Sequence, residues 1–325
     1  MSLFGAKRKA YLGMDLGGSN LYSVAFDAQY NPIFHSKIDT EAREGYLHVI
    51  DRVALQIQEL KKRLEEESYE LEGIGLGVPG LVQSDHGSVL VAPNLGWSQC
   101  KPVRDMDLPQ ELKERTILLN DVNAGLLGEL NRMDDDPVCA VAYFCGTGIG
   151  GAVALGGKLL EGKDGAAGEV GHMVVRSAGR KCGCGRQGCL EAYIGKWALN
   201  AQILKALDAK KKTRLKSIIN YNLKKQPVKS SSLKKAYEKG DGFTVELMEE
   251  HYAGYLAVGI SQTANFLAPD CIVLGGGIME AMGEYLLPVV RNKLESLCMG
   301  PAPRLQLAVL GDLAGPLGAA IASRS

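Results

Sequence analysis

The sequence predicts an α/β protein of two domains. Short β-rich runs alternate along the chain with segments of helical periodicity. One arrangement, a strand followed by a Gly-rich turn and a second strand, occurs twice, 131 residues apart from Asp15 to Gly146. Recurrence at that distance is the pattern of two domains built on one plan. The chain of 325 residues also holds 40 glycines without a Gly-X-Y period, so the excess belongs to turns and ligand loops.

The elements follow in order. Residues 10–14 and 22–26 read as strands joined by the hairpin Asp15-Leu-Gly-Gly-Ser-Asn20, with 33–38 a third strand. Over 46–67, Leu47, Ile50, Ala54, Ile57, Leu60 and Leu64 recur at helical spacing. Strands over 71–78 and 116–119 end at Pro79-Gly80 and Asn120-Asp121. A domain boundary is expected past Asp121, near the polar stretch 131–137. The pattern then repeats: strand 138–145, turn Gly146-Thr-Gly-Ile-Gly-Gly151, strand 152–155. Residues 246–266 read as one helix with small residues on several turns. A strand over 271–274 ends at Gly275-Gly-Gly277, with a helix from about Met279. The last strand is 305–310 and a small Ala-rich helix, 315–323, closes the chain.

Composition excludes several classes. Hydrophobic residues make up 46% and charged residues 23%, which is globular rather than disordered. With 37 basic and 37 acidic side chains the formal net charge is zero. No global field draws the protein to nucleic acid or an anionic membrane. No run approaches the ~20 apolar residues of a membrane span. The short basic start is followed by no apolar core of a signal peptide, so a cytoplasmic protein is expected. Residues 205–239 carry twelve Lys or Arg against Asp208 and Glu238. Interleaved Ile203, Leu204, Leu207, Leu215, Ile218 and Ile219 make this the solvated face of helices. The alternative is a surface that steers anionic nucleotide.

Four local patterns carry chemistry. In Asp15–Asn20, adjacent glycines let backbone N–H groups approach an anion, Ser19 adds a hydroxyl, and a strand-end Asp can hold Mg2+. The turn Gly146–Gly151 with Thr147 offers the same, and Gly275–Gly277 lets a base or ribose approach the backbone. No Gly-Lys-Ser/Thr follows any of them, so none is a Walker loop. Asp121, at a strand end, is placed either to accept the proton of an attacking hydroxyl or simply to cap the next helix.

A fifth pattern is His172, then Cys182, Cys184 and Cys189. Three thiolates and an imidazole suit a tetrahedral Zn2+ that is structural, since four protein ligands leave no open position. Reduced free thiols are the alternative. The other cysteines, Cys100, Cys139, Cys145, Cys271 and Cys298, read as core or surface thiols. Glu169, His172 and Glu191 bracket the Cys cluster, and Asn94 stands in Pro93-Asn-Leu-Gly-Trp97. Such acids and amides suit a polyhydroxy ligand, or are turn and surface residues.

Together these motifs, with Val78-Pro-Gly80, Asn120-Asp-Val-Asn-Ala124, Gly168-Glu-Val-Gly-His172 and Val273-Leu-Gly-Gly-Gly277, resemble the ROK family of sugar kinases and related repressors. The agreement runs from about Tyr11 to Ala322. The resemblance implies an actin-like ATPase (ribonuclease H-like) fold with an interdomain active-site cleft. It implies one domain of 1–121 plus 312–325 and a second of 122–311. It also implies an ATP-dependent hexose kinase acting on the 6-hydroxyl, glucose first. Another hexose, an N-acetylhexosamine, or a non-catalytic sugar sensor is the alternative.

By position, Asp121 would be the general base. Asn94, Glu169, His172 and Glu191 would bind sugar. Gly17, Gly18, Ser19, Asn20, Gly146, Thr147 and Gly148 would bind ATP phosphates. Gly275, Gly276 and Gly277 would bind the adenosine side, and Asp15 would help place Mg2+. His172, Cys182, Cys184 and Cys189 would hold Zn2+. A homodimer or homotetramer is implied, and partners are sugar and ATP rather than nucleic acid or membrane. The chain departs from the family in carrying Ser19-Asn20 where Thr-Lys is common. Only about nine residues precede the first strand, which leaves no room for the DNA-binding helices of the repressors.

Overall fold

The computed structural model describes residues 7–220 and 222–324. The described chain divides into two compact units. The first holds the described part of Met1–Asp136 with Gly157–Ala167 and Asp312–Ser325; the second holds Pro137–Gly156 and Gly168–Gly311.

In the first unit, β1 (Arg8–Leu16), β2 (Asn20–Asp27), β3 (Pro32–Asp39), helix α1 (Tyr46–Glu66) and β4 (Tyr69–Val78) follow one another. The hairpin is tighter than its glycines suggest: Asp15 and Leu16 pair with Tyr22 and Leu21, so only Gly17–Ser19 turn. Of the residues at helical spacing in α1, Ile50, Ala54, Ile57, Leu60 and Leu64 are buried, together with Val49 and Val53, whereas Leu47, in the first turn, is exposed. A small sheet of β5 (Leu81–Val82), β6 (Val89–Ala92) and β7 (Trp97–Cys100) follows. After it come short helices α2 (Pro102–Asp105) and α3 (Gln110–Glu114), then β8 (Thr116–Asn120) and α4 (Asp121–Leu130). The strands of the small sheet are two to four residues long, too short for hydrophobic alternation to reveal them.

The second unit starts with β9 (Cys139–Cys145) and β10 (Ile149–Leu155), joined by Gly146–Gly148. The brief β11 (Lys158–Leu159) lies in the segment that belongs to the first unit. Helices α5 (Glu191–Ile194), α6 (Lys196–Asp208), α7 (Leu215–Ile218) and α8 (Ser230–Glu238) follow. The basic segment is their surface: Leu215 and Leu233 are buried while Lys205, Lys210, Lys211 and Lys212 are exposed. After α9 (Gly242–Val245), the helix expected over 246–266 is two pieces: a π-helical stretch Glu246–Tyr252 and α10 (Ala253–Leu267). Then come β12 (Cys271–Gly275), α11 (Gly277–Glu295) and β13 (Arg304–Leu307), a shorter last strand than the apolar run suggests.

The two main sheets share a plan. In the first the order is β3-β2-β1-β4-β8, with β1 antiparallel to β2 and parallel to β4, and β4 parallel to β8. In the second, β9 pairs antiparallel with β10 and parallel with β12, which pairs parallel with β13. The repeat read from the sequence is therefore a repeat of topology, in an α/β fold as expected.

The last helix, α12 (Ala314–Ala322), packs on β1, β4 and α4 of the first unit. It lies backbone to backbone on its neighbours. A Cβ added at Gly13 would stand 1.7 Å from the Pro316 carbonyl oxygen, and one at Gly318 1.7 Å from that of Ala124. Neither neighbour can yield without moving main chain. Gly318→Ala is expected to cost about 3 kcal/mol or more in urea unfolding; a loss under about 0.5 kcal/mol would contradict this packing. No helix among the described residues is long and apolar enough to cross a membrane.

Candidate active site

In the first unit the candidate residues gather at the carboxyl ends of β1 and β8. Asp15 ends β1, and Asp121 opens α4 directly after β8. The structure decides whether Asp121 is merely a cap. The N-cap is Asn120, whose Oδ1 accepts from Val122 N at 2.9 Å and Asn123 N at 3.0 Å. Its amide donates to Gly80 O at 3.0 Å. Asp121 Oδ1 also accepts from Val122 N at 2.9 Å, but the capping geometry belongs to its neighbour.

Asp15 is held in an unfavourable place for a charge. Burial first, then repulsion from Asp121 and Asp312, raises its pKa to about 7, and Lys37 only partly opposes this. The unfolded carboxyl titrates near 3.8 and the folded one near 7, so the folded chain holds the extra proton between them. That contribution to stability is lost as pH rises through 7. Asp15→Asn should therefore gain stability over the parent as pH goes from 5 to 8, by roughly 2–3 kcal/mol. Urea unfolding at both pH values tests it, and a pH-independent difference would refute the assignment.

Beside Asp15 lies a pocket of about 280 Å3, lined by the Gly17–Asn20 turn, Tyr22, Lys37 and Asp312. Buried Thr40 ties off the carbonyls of this turn: its N–H donates to Ser19 O at 2.8 Å and its hydroxyl to Gly17 O at 2.7 Å. Gly17 N–H donates to Asn20 O at 2.9 Å. The N–H groups of Gly18 and Ser19 have no acceptor among the described residues. Backbone amides freed this way make an anion-binding concavity. A Cβ on Gly18 would come within 3.2 Å of Asn94 O, so the exposed Asn94 turn abuts the same loop.

In the second unit the glycine clusters come together. Gly275 pairs with Phe144, and a Cβ on Gly276 would stand 2.6 Å from Cys145 O. Gly276 takes φ +81°, a left-handed value that glycine adopts without strain. The Gly146–Gly148 turn and the N-terminus of the 19-residue α11 thus share one end of the sheet, an arrangement suited to phosphate. Lys196 joins them: its N–H donates to Gly146 O at 3.2 Å, and its Nζ lies 3.0 Å from where a Gly277 Cβ would be. Ser230 Oγ is buried there without a hydrogen-bond partner among the described residues.

His172, Cys182, Cys184 and Cys189 bring their ligand atoms within 4.8 Å of one another. Cys182 Sγ lies 3.7 Å from His172 Nδ1, and Cys184 Sγ 3.7 Å from Cys189 Sγ. Tetrahedral Zn2+ with bonds of about 2.3 Å sets neighbouring sulfurs about 3.8 Å apart. The donor set and its spacing therefore fit that ion. Burial pushes the Cys182 thiol up to about 12. Cys184, despite its own desolvation, is drawn to about 6 by hydrogen bonds with Arg186. None of the eight cysteines forms a disulfide, and the other five are buried or half-buried.

With Nδ1 turned to the sulfurs, His172 Nε2 stands 3.9 Å from Glu169 Oε2. Glu191 bridges the Cys cluster to the glycine turn: Oε2 accepts from Ile149 N at 3.0 Å, and Oε1 is 3.6 Å from Cys182 Sγ. A Cβ on Gly148 would fall 2.2 Å from Glu191 Oε2.

The pattern of the ROK family matches residues 11–325. The chain belongs to the ROK family. A glucokinase of Halalkalibacterium halodurans is 29% identical over 317 residues, 95% of this chain and 93% of that protein. An N-acetyl-D-glucosamine kinase of Pectobacterium atrosepticum is 28% identical over 96% of this chain and 98% of that protein. Among solved structures, the ROK family glucokinase from Streptomyces griseus in complex with glucose and AMPPNP superposes with a TM-score of 0.80 at 25% identity. That match covers 97% of this chain and 99% of that one.

Within this ROK protein, the glycine turns, Asp15, Asp121 and the Cys/His set are the candidates that the sequence names. Lys37 and Lys196, which the structure brings beside two of those turns, are not among them. Neither sits in a motif; β2–β3 register brings the first to its pocket, and the chain's return to Gly146 brings the second.

Proposed function

We propose that this ROK protein is an ATP-dependent hexose kinase that phosphorylates the 6-hydroxyl, with glucose the first substrate to test. One observation carries the assignment. Asp121 sits at a strand end beside a free-amide turn, while Asn120 takes over the capping that would otherwise explain it. The similarity to glucokinases over nearly the whole chain supports the same reading.

The step is an in-line displacement. The sugar oxygen attacks the γ-phosphorus, its proton passes to the Asp121 carboxylate, and the bond to the departing ADP oxygen breaks. Gly17–Asn20 and Gly146–Gly148 hold phosphates, and Gly275–Gly277 with Lys196 hold the adenosine side. Asn94, Glu169 and Glu191 accept from sugar hydroxyls, and His172, with Nδ1 toward the Cys set, donates from Nε2–H. Mg2+, when bound, offsets the phosphate charge, and Asp15 holds it directly or through water. Zn2+ belongs to His172, Cys182, Cys184 and Cys189, where it fixes Glu191 and His172 rather than entering the chemistry. Assembly as a homodimer or homotetramer is read by light scattering.

A second reading is an N-acetylhexosamine kinase, favoured by the N-acetyl-D-glucosamine kinase relative. The deciding experiment is ADP release with Mg-ATP against a panel of hexoses and N-acetylhexosamines. Preferential turnover of glucose supports the first reading, and preference for an N-acetylhexosamine the second. Sugar binding by calorimetry without turnover of any sugar would overturn both and indicate a sensor.

A further inference from the structure

We propose that Lys37, on β3, is the cation that binds the nucleotide polyphosphate at the Gly17–Asn20 turn, supplied from the neighbouring strand because the turn itself has none. The inference rests on the kinase reading above and adds a residue that no motif contains.

Consider the charges of the pocket. Asp15 and Asp312 line it, and Asp121 acts on Asp15. Against them, Lys37 is the only basic side chain among the described lining residues. A polyphosphate adds further negative charge, which the free amides of Gly18 and Ser19 offset only in part. An ammonium within reach of the same space supplies the rest.

Register explains how Lys37 gets there. On β3 it pairs with Tyr22, while Asn20 pairs with Asp39. Residues two apart on a strand share a face, so Lys37 points to the same side as the position opposite Asn20. Its Nζ lies 5.7 Å from the Tyr22 ring centroid, which directs the stem along the sheet toward the turn. It rests against Asp312 Oδ2 at 3.4 Å, with the two side chains 49% and 83% exposed. Such an exposed pair is worth ~0–1 kcal/mol, so a phosphate readily displaces it. The Gly17–Asn20 turn has no basic side chain of its own, and Lys37 supplies one from seventeen positions after Asn20.

The test uses the whole chain in four forms: parent, Lys37→Ala, Lys37→Arg, and Lys37→Ala combined with Asn20→Lys. KM for Mg-ATP and for sugar are measured, with MgADP binding by calorimetry as a readout independent of turnover. Lys37→Ala should raise KM for ATP and the Kd for MgADP by about tenfold or more, as expected for loss of a charge-assisted contact. The sugar KM should stay within about twofold. Lys37→Arg should keep most of the affinity, and adding Asn20→Lys should bring back all but about threefold. Unchanged nucleotide affinity in Lys37→Ala would overturn the proposal, as would a sugar KM rising in step with that for ATP. A parent that turns over no sugar yet loses MgADP affinity on Lys37→Ala would sink the kinase reading and keep this one. A parent that does not bind MgADP would sink this one.

Discussion

Asp121→Asn is expected to lower kcat at least ~100-fold, within the range that a positioned general base contributes, while the protein stays folded. Both parts follow from local geometry. The bond from Val122 N–H to Asp121 Oδ1 is one that an amide oxygen also accepts, and Asn120 still caps α4. What Asn cannot do is take a proton from the attacking hydroxyl. The KM values for sugar and ATP should move far less than kcat, since the carboxylate acts mainly as the proton leaves. A companion signal separates charge from shape. Asp121 is the larger of the two carboxylate repulsions that raise Asp15, so the variant should titrate Asp15 at a lower pH. A folded variant with near-parental kcat would remove Asp121 from the base role.

Removing metal from the Cys/His set should cost nearly as much. The folded protein is expected to carry about one Zn2+ per chain by elemental analysis. Chelation or Cys189→Ser should lower Tm by about 10 °C or more, because the ion would cross-link His172 to the 182–189 loop and its binding free energy adds to that of folding. Cys182 and Cys189 are buried while Cys184 is exposed, so the four ligands tie a surface loop to the core. Turnover should fall with it, since Glu191 holds the Gly146–Gly148 turn through Ile149 N. Cys298→Ser, outside the set, should leave metal content unchanged. Less than about half an equivalent of metal, with stability indifferent to chelator, would refute the site.

The legible part of this molecule was local. Glycine next to a strand end announces a turn wherever it folds, and the spacing of Cys182, Cys184 and Cys189 announces a cluster of thiols able to hold a metal. The turns were nonetheless read too long. Whether Leu16 or Ile149 belongs to a turn or a strand depends on a partner across the hairpin. The stretch 246–266 shows why periodicity has a limit. Its apolar spacing is helical, but it does not separate the α-helix of Ala253–Leu267 from the π-helical turns of Glu246–Tyr252. That difference lies in which carbonyl each N–H reaches.

By itself, then, the sequence determined the α/β class, the doubled strand–turn–strand plan, the family and the identity of the groups able to do chemistry. These are written in short windows, where residue type and spacing constrain the backbone directly. Tertiary structure alone decided which of two adjacent residues, Asn120 or Asp121, caps α4. It alone set the pKa of Asp15, through burial and the distant Asp121 and Asp312. It alone brought Lys37 to one glycine turn and Lys196 to another. A capping bond, a buried charge and a cation delivered across a strand are each set by distances between atoms far apart in the chain. Those distances exist only once strand register and helix packing have fixed them.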